Sequence, residues 1–167
     1  MNDYTRIPQQ NKLDVFVSER PGISVTTLNL VFRAGCAYES ADEHGYAHIL
    51  EHMLLKGTKK RPGSAAIGLE IDGIGAFSNA FTGHEELVFV MQSASESTPL
   101  MLDVLSDNVQ NSLLDTAVLE NEKKVILEEF EKQKNNFSRA LIIQSVRHIL
   151  GNRLTAQDPL GNPESII

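Results

Sequence analysis

Residues 45–58 form the stretch GYAHILEHMLLKGT, in which His48, Glu51 and His52 lie within five consecutive positions. On an α-helix, positions i and i+4 are about 40° apart, so both histidines point the same way and Glu51 lies on the same side. Two imidazoles at this spacing can bind one Zn²⁺ while the carboxylate takes a proton from a metal-activated water. The alternative is coincidence, because a pattern with three fixed positions also occurs on ordinary helices.

Composition narrows the class of protein. The chain has 167 residues with 41% hydrophobic and 22% charged residues, as expected for one globular domain. A net charge of −7 argues against binding to a nucleic-acid backbone. The apolar runs are too short to cross a bilayer, and positions 1–20 lack a signal-peptide pattern, so we expect a cytoplasmic protein without a membrane partner. Cys36 is the only cysteine, which excludes an internal disulfide and predicts a buried thiol.

The pattern of apolar and turn-forming residues predicts an α+β fold, with an antiparallel or mixed sheet and helices packed on one face. Strands are expected at 14–19 and 23–33, joined as a hairpin through Pro21-Gly22, and at 73–81 and 84–93. Helices are expected at 45–56 with Gly57 as C-cap, at 64–72, at 97–114, and at 116–150 with a break near Asn135-Asn136. The basic residues 59–61 are expected to form a solvated helix end.

A catalytic zinc usually has a third protein ligand and an open position for water. His44 is predicted to precede the helix, His84 to lie in a turn and His148 to lie far along the last helix, so none of them is a good candidate. The remaining candidates are the carboxylates of LENEKKVILEEFEKQ, residues 119–133. A solvated charged helix is the alternative interpretation of that stretch.

Helical phase distinguishes among these glutamates. An apolar stripe is predicted along one face of the helix, formed by Leu119, Ile126, Phe130, Phe137 and Leu141. Glu122 falls on the stripe and Glu129 at its edge, whereas Glu120 and Glu128 point towards solvent. Carboxylates that face a core need partners. We therefore expect a metal to bind Glu129 and Glu122 to support the site from nearby.

Several motifs together resemble one family, the pitrilysin or insulinase metallopeptidases, especially the bacterial branch similar to the mitochondrial processing peptidase. The H-x-x-E-H order is the inverted form of the usual zinc motif, and its flanking residues are close to the family signature. Further resemblance is found in RAGCAYES at 33–40, NAFTGHEELVF at 79–89, ENEKKVILEEF at 120–130 and DPLGNPESI at 158–166. The interval from His52 to Glu129 also fits the spacing of that family.

The resemblance implies a role for each matching residue. His48, His52 and Glu129 would bind one Zn²⁺, Glu51 would be the general base, and Glu122 would support the site. A further set, implied only by the resemblance, would form an edge strand on which a peptide substrate adds as an extra strand: Asn79, Ala80 and Phe81.

The resemblance also bears on domain organisation. Residues 1–167 are expected to form one metallopeptidase-type domain, a truncated N-terminal part of a larger protein of two homologous halves. A second half or subunit is then the expected partner, and nucleic acid is not. Two alternatives remain open: a non-catalytic scaffold subunit of the same fold, and a hydrolase of small molecules with the same ligands.

Overall fold

The computed structural model describes residues 4–11, 13–151 and 157–166. The described strands are β1 Thr5–Pro8, β2 Asp14–Val17, β3 Val25–Phe32, β4 Phe77–Thr82 and β5 Leu87–Ala94. The described helices are α1 Tyr46–Leu54, α2 Ser64–Gly73, α3 Thr98–Asn111, α4 Thr116–Lys134, α5 Phe137–Leu150 and α6 Pro163–Ile166. Within these ranges, no helix has the length and apolar character needed to cross a membrane.

The main sheet has three antiparallel strands in the order β3-β5-β4. Alternate side chains of β5 are almost completely buried, and Phe89 meets Phe32 of β3 edge to face at 6.3 Å between ring centroids. Helices α1, α2 and α3 supply the other residues of this core, among them Leu54, Ile71 and Val104. All helices of the core therefore lie on one face of the sheet, and the predicted α+β architecture is confirmed.

The predicted hairpin of residues 14–19 with 23–33 is wrong. Strand β2 pairs with β1 in a separate two-stranded ribbon, where Arg6 Nε donates to Asp14 at 2.7 Å. Strand β3 pairs instead with β5 over its whole length, and Leu28, Leu30 and Phe32 pack against the core there. Alternation of apolar residues identifies a strand and its buried face, but it does not identify the partner strand.

Helix boundaries agree with the sequence to within a few residues, with one exception at the end of α1. The helix ends at Leu54, and the predicted C-cap Gly57 lies beyond it. Gly57 has φ +138°, and a Cβ there would be 2.5 Å from the backbone nitrogen of Gly63. Glycine is required here because two loop segments approach closely, and not because it ends the helix.

The predicted break in the last helical segment is confirmed at Asn135-Asn136, where α4 ends and α5 begins. The side chain of Asn136 caps α5 by accepting a hydrogen bond from the backbone of Arg139 at 3.1 Å. The apolar stripe does not continue across this break, because Phe137 and Leu141 are exposed. Because α5 is a separate helix, the helical phase of α4 does not continue into it. The predicted apolar stripe therefore applies only to the residues of α4.

The basic residues 59–61 do not form a solvated helix end. Arg61 is 1% exposed and pairs with Glu70 of α2 and with Asp103 and Asp107 of α3. Lys60 is exposed and pairs with Asp103. The guanidinium provides several donors in a fixed plane, so one buried side chain can join two helices to the loop that follows α1. Cys36 is fully buried, as predicted.

Candidate metal centre

Helix α1 places His48, Glu51 and His52 at the junction of α1, α4 and the edge strand β4. Its first turn is held by Glu39, whose carboxylate accepts hydrogen bonds from the backbone of Gly45 at 2.9 Å and Ala47 at 2.7 Å. A carboxylate at this position satisfies free N–H groups and complements the positive end of the helix dipole. Glu39 was missed from the sequence because it lies seven residues before the first residue of the helix, and only the fold brings its side chain to the helix start.

The turn formed by residues 158–161 packs against the start of α1. His44 Nε2 bonds to the backbone oxygen of Asp158 at 2.8 Å, and the hydroxyl of Ser165 donates to the carbonyl of His44. Gly45 and Gly161 approach so closely that a Cβ on Gly161 would be 2.6 Å from the Cα of Gly45. His44 therefore anchors the chain beside the helix.

Helix α4 contributes Glu122 and Glu129 to the same junction. Asp115 caps the helix by accepting from the backbone of Ala117 and Val118. Ile126, midway between the two glutamates, is completely buried and fixes which face of α4 meets α1. The neighbouring glutamates at 120 and 128 are exposed, in agreement with the helical phase.

The structure brings His48, His52 and Glu129 together, with one ligand atom of each within 4.8 Å of the others. The Nε2 atoms of His48 and His52 are 3.3 Å apart. Oε2 of Glu129 lies 3.7 Å from Nε2 of His48 and 3.8 Å from Nε2 of His52. Within the described residues, neither His84 nor His148 belongs to a group of this kind.

This arrangement fits zinc. Tetrahedral zinc, with Zn–N bonds of about 2.0–2.1 Å, separates its ligand atoms by about 3.3–3.4 Å. The two histidines already have that separation, and the Glu129 oxygen is only a few tenths of an ångström further out. Burial, followed by the neighbouring His52, lowers the pKa of His48, so the neutral form that a metal requires is favoured.

Glu122 lies behind His52 and accepts a hydrogen bond from its Nδ1 at 3.1 Å. An ionised carboxylate can only accept, so Nδ1 of His52 carries the proton and Nε2 keeps a lone pair for a metal. Lys56 Nζ binds the other oxygen of Glu122 at 2.7 Å. Burial raises the pKa of Glu122, but the hydrogen bonds from Lys56 and His52 outweigh it and hold the pKa below its usual value.

Glu51 and the end of β4 are joined by a hydrogen bond. The hydroxyl of Thr82 donates to Oε2 of Glu51 at 2.6 Å. Strand β4 forms one edge of the main sheet, and along it Asn79 and Phe81 are exposed while Ala80 is half-buried. Thr82 could not have been selected from sequence spacing, since the contact depends on how α1 crosses β4.

Residues 15–164 match the family model described as Insulinase (Peptidase family M16). The chain belongs to this family. It is 37% identical over 149 residues to the mitochondrial-processing peptidase subunit beta of Rattus norvegicus, covering 89% of this chain and 30% of that protein. It is 34% identical over 154 residues to an uncharacterized zinc protease of Rickettsia bellii, covering 92% of this chain and 36% of that protein.

Solved structures show the same fold. The first half of the periplasmic protease PqqL from Escherichia coli superposes with a TM-score of 0.85 at 22% identity, covering 98% of this chain and 36% of that one. At this identity the likeness concerns the fold alone. The chain spans about a third of the length of the curated relatives that it matches.

Proposed function

We propose that this chain is the metal-bearing part of a zinc-dependent endopeptidase that hydrolyses extended peptides or unfolded protein segments. The observation that carries the proposal is the convergence of three ligand atoms from His48, His52 and Glu129 beside Glu51. The donor set of two imidazoles and one carboxylate is typical of catalytic zinc sites that keep a position open for water.

When bound, zinc would lower the pKa of a water molecule and polarise the carbonyl of a peptide bond. The carboxylate of Glu51 would accept the proton of that water and return it to the leaving amine. Its Oε2 is already engaged by the Thr82 hydroxyl, so the other oxygen is the one left for this exchange. Glu122 would hold His52 in the tautomer whose Nε2 faces the metal.

The edge strand β4 supports a peptide as the substrate class. An exposed sheet edge presents unpaired backbone groups, and an extended peptide can add there as a further strand. Asn79, Ala80 and Phe81 would form this edge, which ends at Thr82 beside Glu51. Recognition through backbone groups tolerates many side chains, which suits unfolded segments and does not suit a small molecule.

A second half or subunit would complete the active protein. This chain matches only about a third of the length of its relatives. One relative is named as a subunit of the mitochondrial-processing peptidase, and one similar structure is described as the first half of a protease. We expect the chain alone to bind zinc with little turnover. Assays of this chain with and without the remaining part of its protein would test this, and full activity of the chain alone would contradict it.

Zinc content and peptide cleavage test the central proposal, measured on the wild type and on Glu129→Gln and Glu51→Gln. Removal of a residue that supports a metal ligand typically weakens metal binding by about 10- to 100-fold. Glu129→Gln removes a direct ligand, so it should weaken zinc binding by more than this. Glu51→Gln should keep zinc and lose turnover, whereas a scaffold subunit would be indifferent to it. Glu128→Gln is the matched control, because its side chain is exposed.

Two results would refute these assignments. Wild-type zinc affinity in Glu129→Gln would show that Glu129 is not a ligand. Unchanged peptide cleavage by the active assembly that carries Glu51→Gln would show that Glu51 is not the base.

A further inference from the structure

Lys56 connects the metal centre to the protein surface through two successive contacts. It follows the end of α1, and its Nζ lies 2.7 Å from Oε1 of Glu122 on α4. The second oxygen of the same carboxylate accepts from Nδ1 of His52 at 3.1 Å. Both oxygens of Glu122 are therefore engaged, one by a cation and one by a histidine of the candidate site.

Burial makes these contacts consequential. The Glu122 side chain is 10% exposed, and a carboxylate removed from water is costly unless it is paired. Lys56 is partly exposed and is the lysine paired with Glu122 in the described part of the chain. The other carboxylates at this junction, Glu51 and Glu129, are acidic and cannot neutralise it.

Engagement of both oxygens also bears on which glutamate binds the metal. Glu122 and Glu129 are seven residues apart on α4 and face the same junction. A free Glu122 carboxylate could rotate towards the metal or let the ring of His52 turn. The ion pair with Lys56 opposes both movements, which favours Glu129 over Glu122 as the carboxylate ligand of the proposed site.

We propose that Lys56 is a positioning residue of the metal centre, which fixes Glu122 and thereby the ring orientation and tautomer of His52. This inference rests on the proposed zinc site. It predicts that Lys56 affects zinc binding without touching the metal, and that the effect passes entirely through Glu122.

The experiment compares Lys56→Met and Lys56→Arg with Lys59→Met, an exposed lysine three positions away whose loss changes net charge equally. Zinc affinity is measured by competition with a chromophoric chelator. Lys56→Met should bind zinc about 10- to 100-fold more weakly, as is usual when a partner behind a ligand is removed. Lys56→Arg should restore most of the affinity because it keeps the charge and a donor, and Lys59→Met should match the wild type.

A second measurement is independent of zinc. Nitrogen NMR of the metal-free protein reports the His52 tautomer, which should be mainly Nδ1-protonated in the wild type and mixed in Lys56→Met. In a Glu122→Gln background, Lys56→Met should have no further effect on affinity, since coupled residues are not additive. If Lys56→Met does not fold, as judged by circular dichroism, Lys56→Gln replaces it.

The outcomes separate the two proposals. If the wild type binds zinc and Lys56→Met binds it equally tightly, the role of Lys56 is refuted. It is also refuted if Lys56→Met weakens zinc binding by the same factor in the Glu122→Gln background as in the wild type. If the wild type does not bind zinc, the proposed metal centre fails. The tautomer measurement then still decides whether Lys56 orients His52.

Discussion

Replacing Arg61 with methionine should destabilise the fold strongly at neutral pH. The guanidinium is 1% exposed, and it donates to Glu70 at 2.9 and 3.0 Å and to Asp107 at 2.8 Å, with Asp103 also in contact. Asp107 additionally accepts from the hydroxyl of Thr58 at 2.6 Å. Methionine fills much of the same volume but removes the positive charge and every donor.

The size of the effect follows from which carboxylates are left behind. Glu70 and Asp103 are 38% and 44% exposed, so water can solvate them and their loss of a partner costs little. Asp107 is only 9% exposed and would become a buried charge without a cationic partner, although Thr58 and Asn111 would still donate to it. Removing one partner of a buried ion pair costs about 3–5 kcal/mol. For a chain of this size that corresponds to a fall in melting temperature of about 10 °C.

Urea unfolding and thermal melting measure this change, with Lys60→Met as the control because that lysine forms an exposed pair with Asp103. The control should remain close to the wild type. Adding Asp107→Asn to Arg61→Met should recover much of the lost stability, because the buried negative charge that lacks a cationic partner is then removed. A loss below about 1 kcal/mol, the range of a surface pair, would refute the argument, and so would the absence of any recovery in the double variant.

The loss should also depend on pH. The Thr58 hydroxyl, followed by Asn111 and Arg61, lowers the pKa of Asp107 against the opposing effect of burial. A carboxyl with a lowered pKa stabilises the fold above its unfolded pKa of about 3.9, and this contribution disappears as pH falls through the folded pKa. In Arg61→Met, protonation relieves the stranded charge. The difference between variant and wild type should therefore be largest near neutrality and shrink below pH of about 4.

Two further predictions concern the candidate site and the buried thiol of Cys36. In the active assembly, Thr82→Val should lower kcat by about 10- to 100-fold, while KM and zinc affinity stay unchanged. This factor corresponds to the loss of one hydrogen bond to a charged group. Thr82→Ser keeps the hydroxyl and should retain activity, and equal loss in both variants would contradict a role for the Thr82–Glu51 bond. Cys36 is fully buried, and burial, with Glu39 nearby, raises its pKa to about 11. It should resist thiol reagents at pH 8 until urea unfolds the protein, and rapid labelling of the native chain would contradict the burial.

The parts of the site that follow from local geometry could be predicted from the sequence. His48 and His52 lie on one side of α1 because helical pitch is fixed, and the same pitch along α4 places Glu122 and Glu129 towards α1. The prediction failed where it extended beyond one element. Phe137 was assigned to the stripe of α4, although Asn136 starts a new helix with its own phase.

Contacts between distant elements could not be predicted from the sequence. Strand β2 carries a clear alternating pattern, yet only the three-dimensional fold shows that it pairs with β1. Arg61 was taken for a solvated cation because a charged residue in a basic run is usually exposed, whereas its three carboxylates come from two other helices. Lys56 was overlooked for the same reason, since its partner is more than sixty residues away in the chain.

The candidate site depends on three elements whose relative positions are each secured by a polar contact. Glu122 joins α4 to α1 through His52 and Lys56, and Thr82 joins β4 to α1 through Glu51. Each contact ends on a residue to which we assign a role in metal binding or proton transfer. A shift of α4 or β4 relative to α1 would therefore disturb the proposed metal ligands or the proposed base directly. The Glu122 and Thr82 contacts therefore hold the three elements together at the residues on which the proposed chemistry depends.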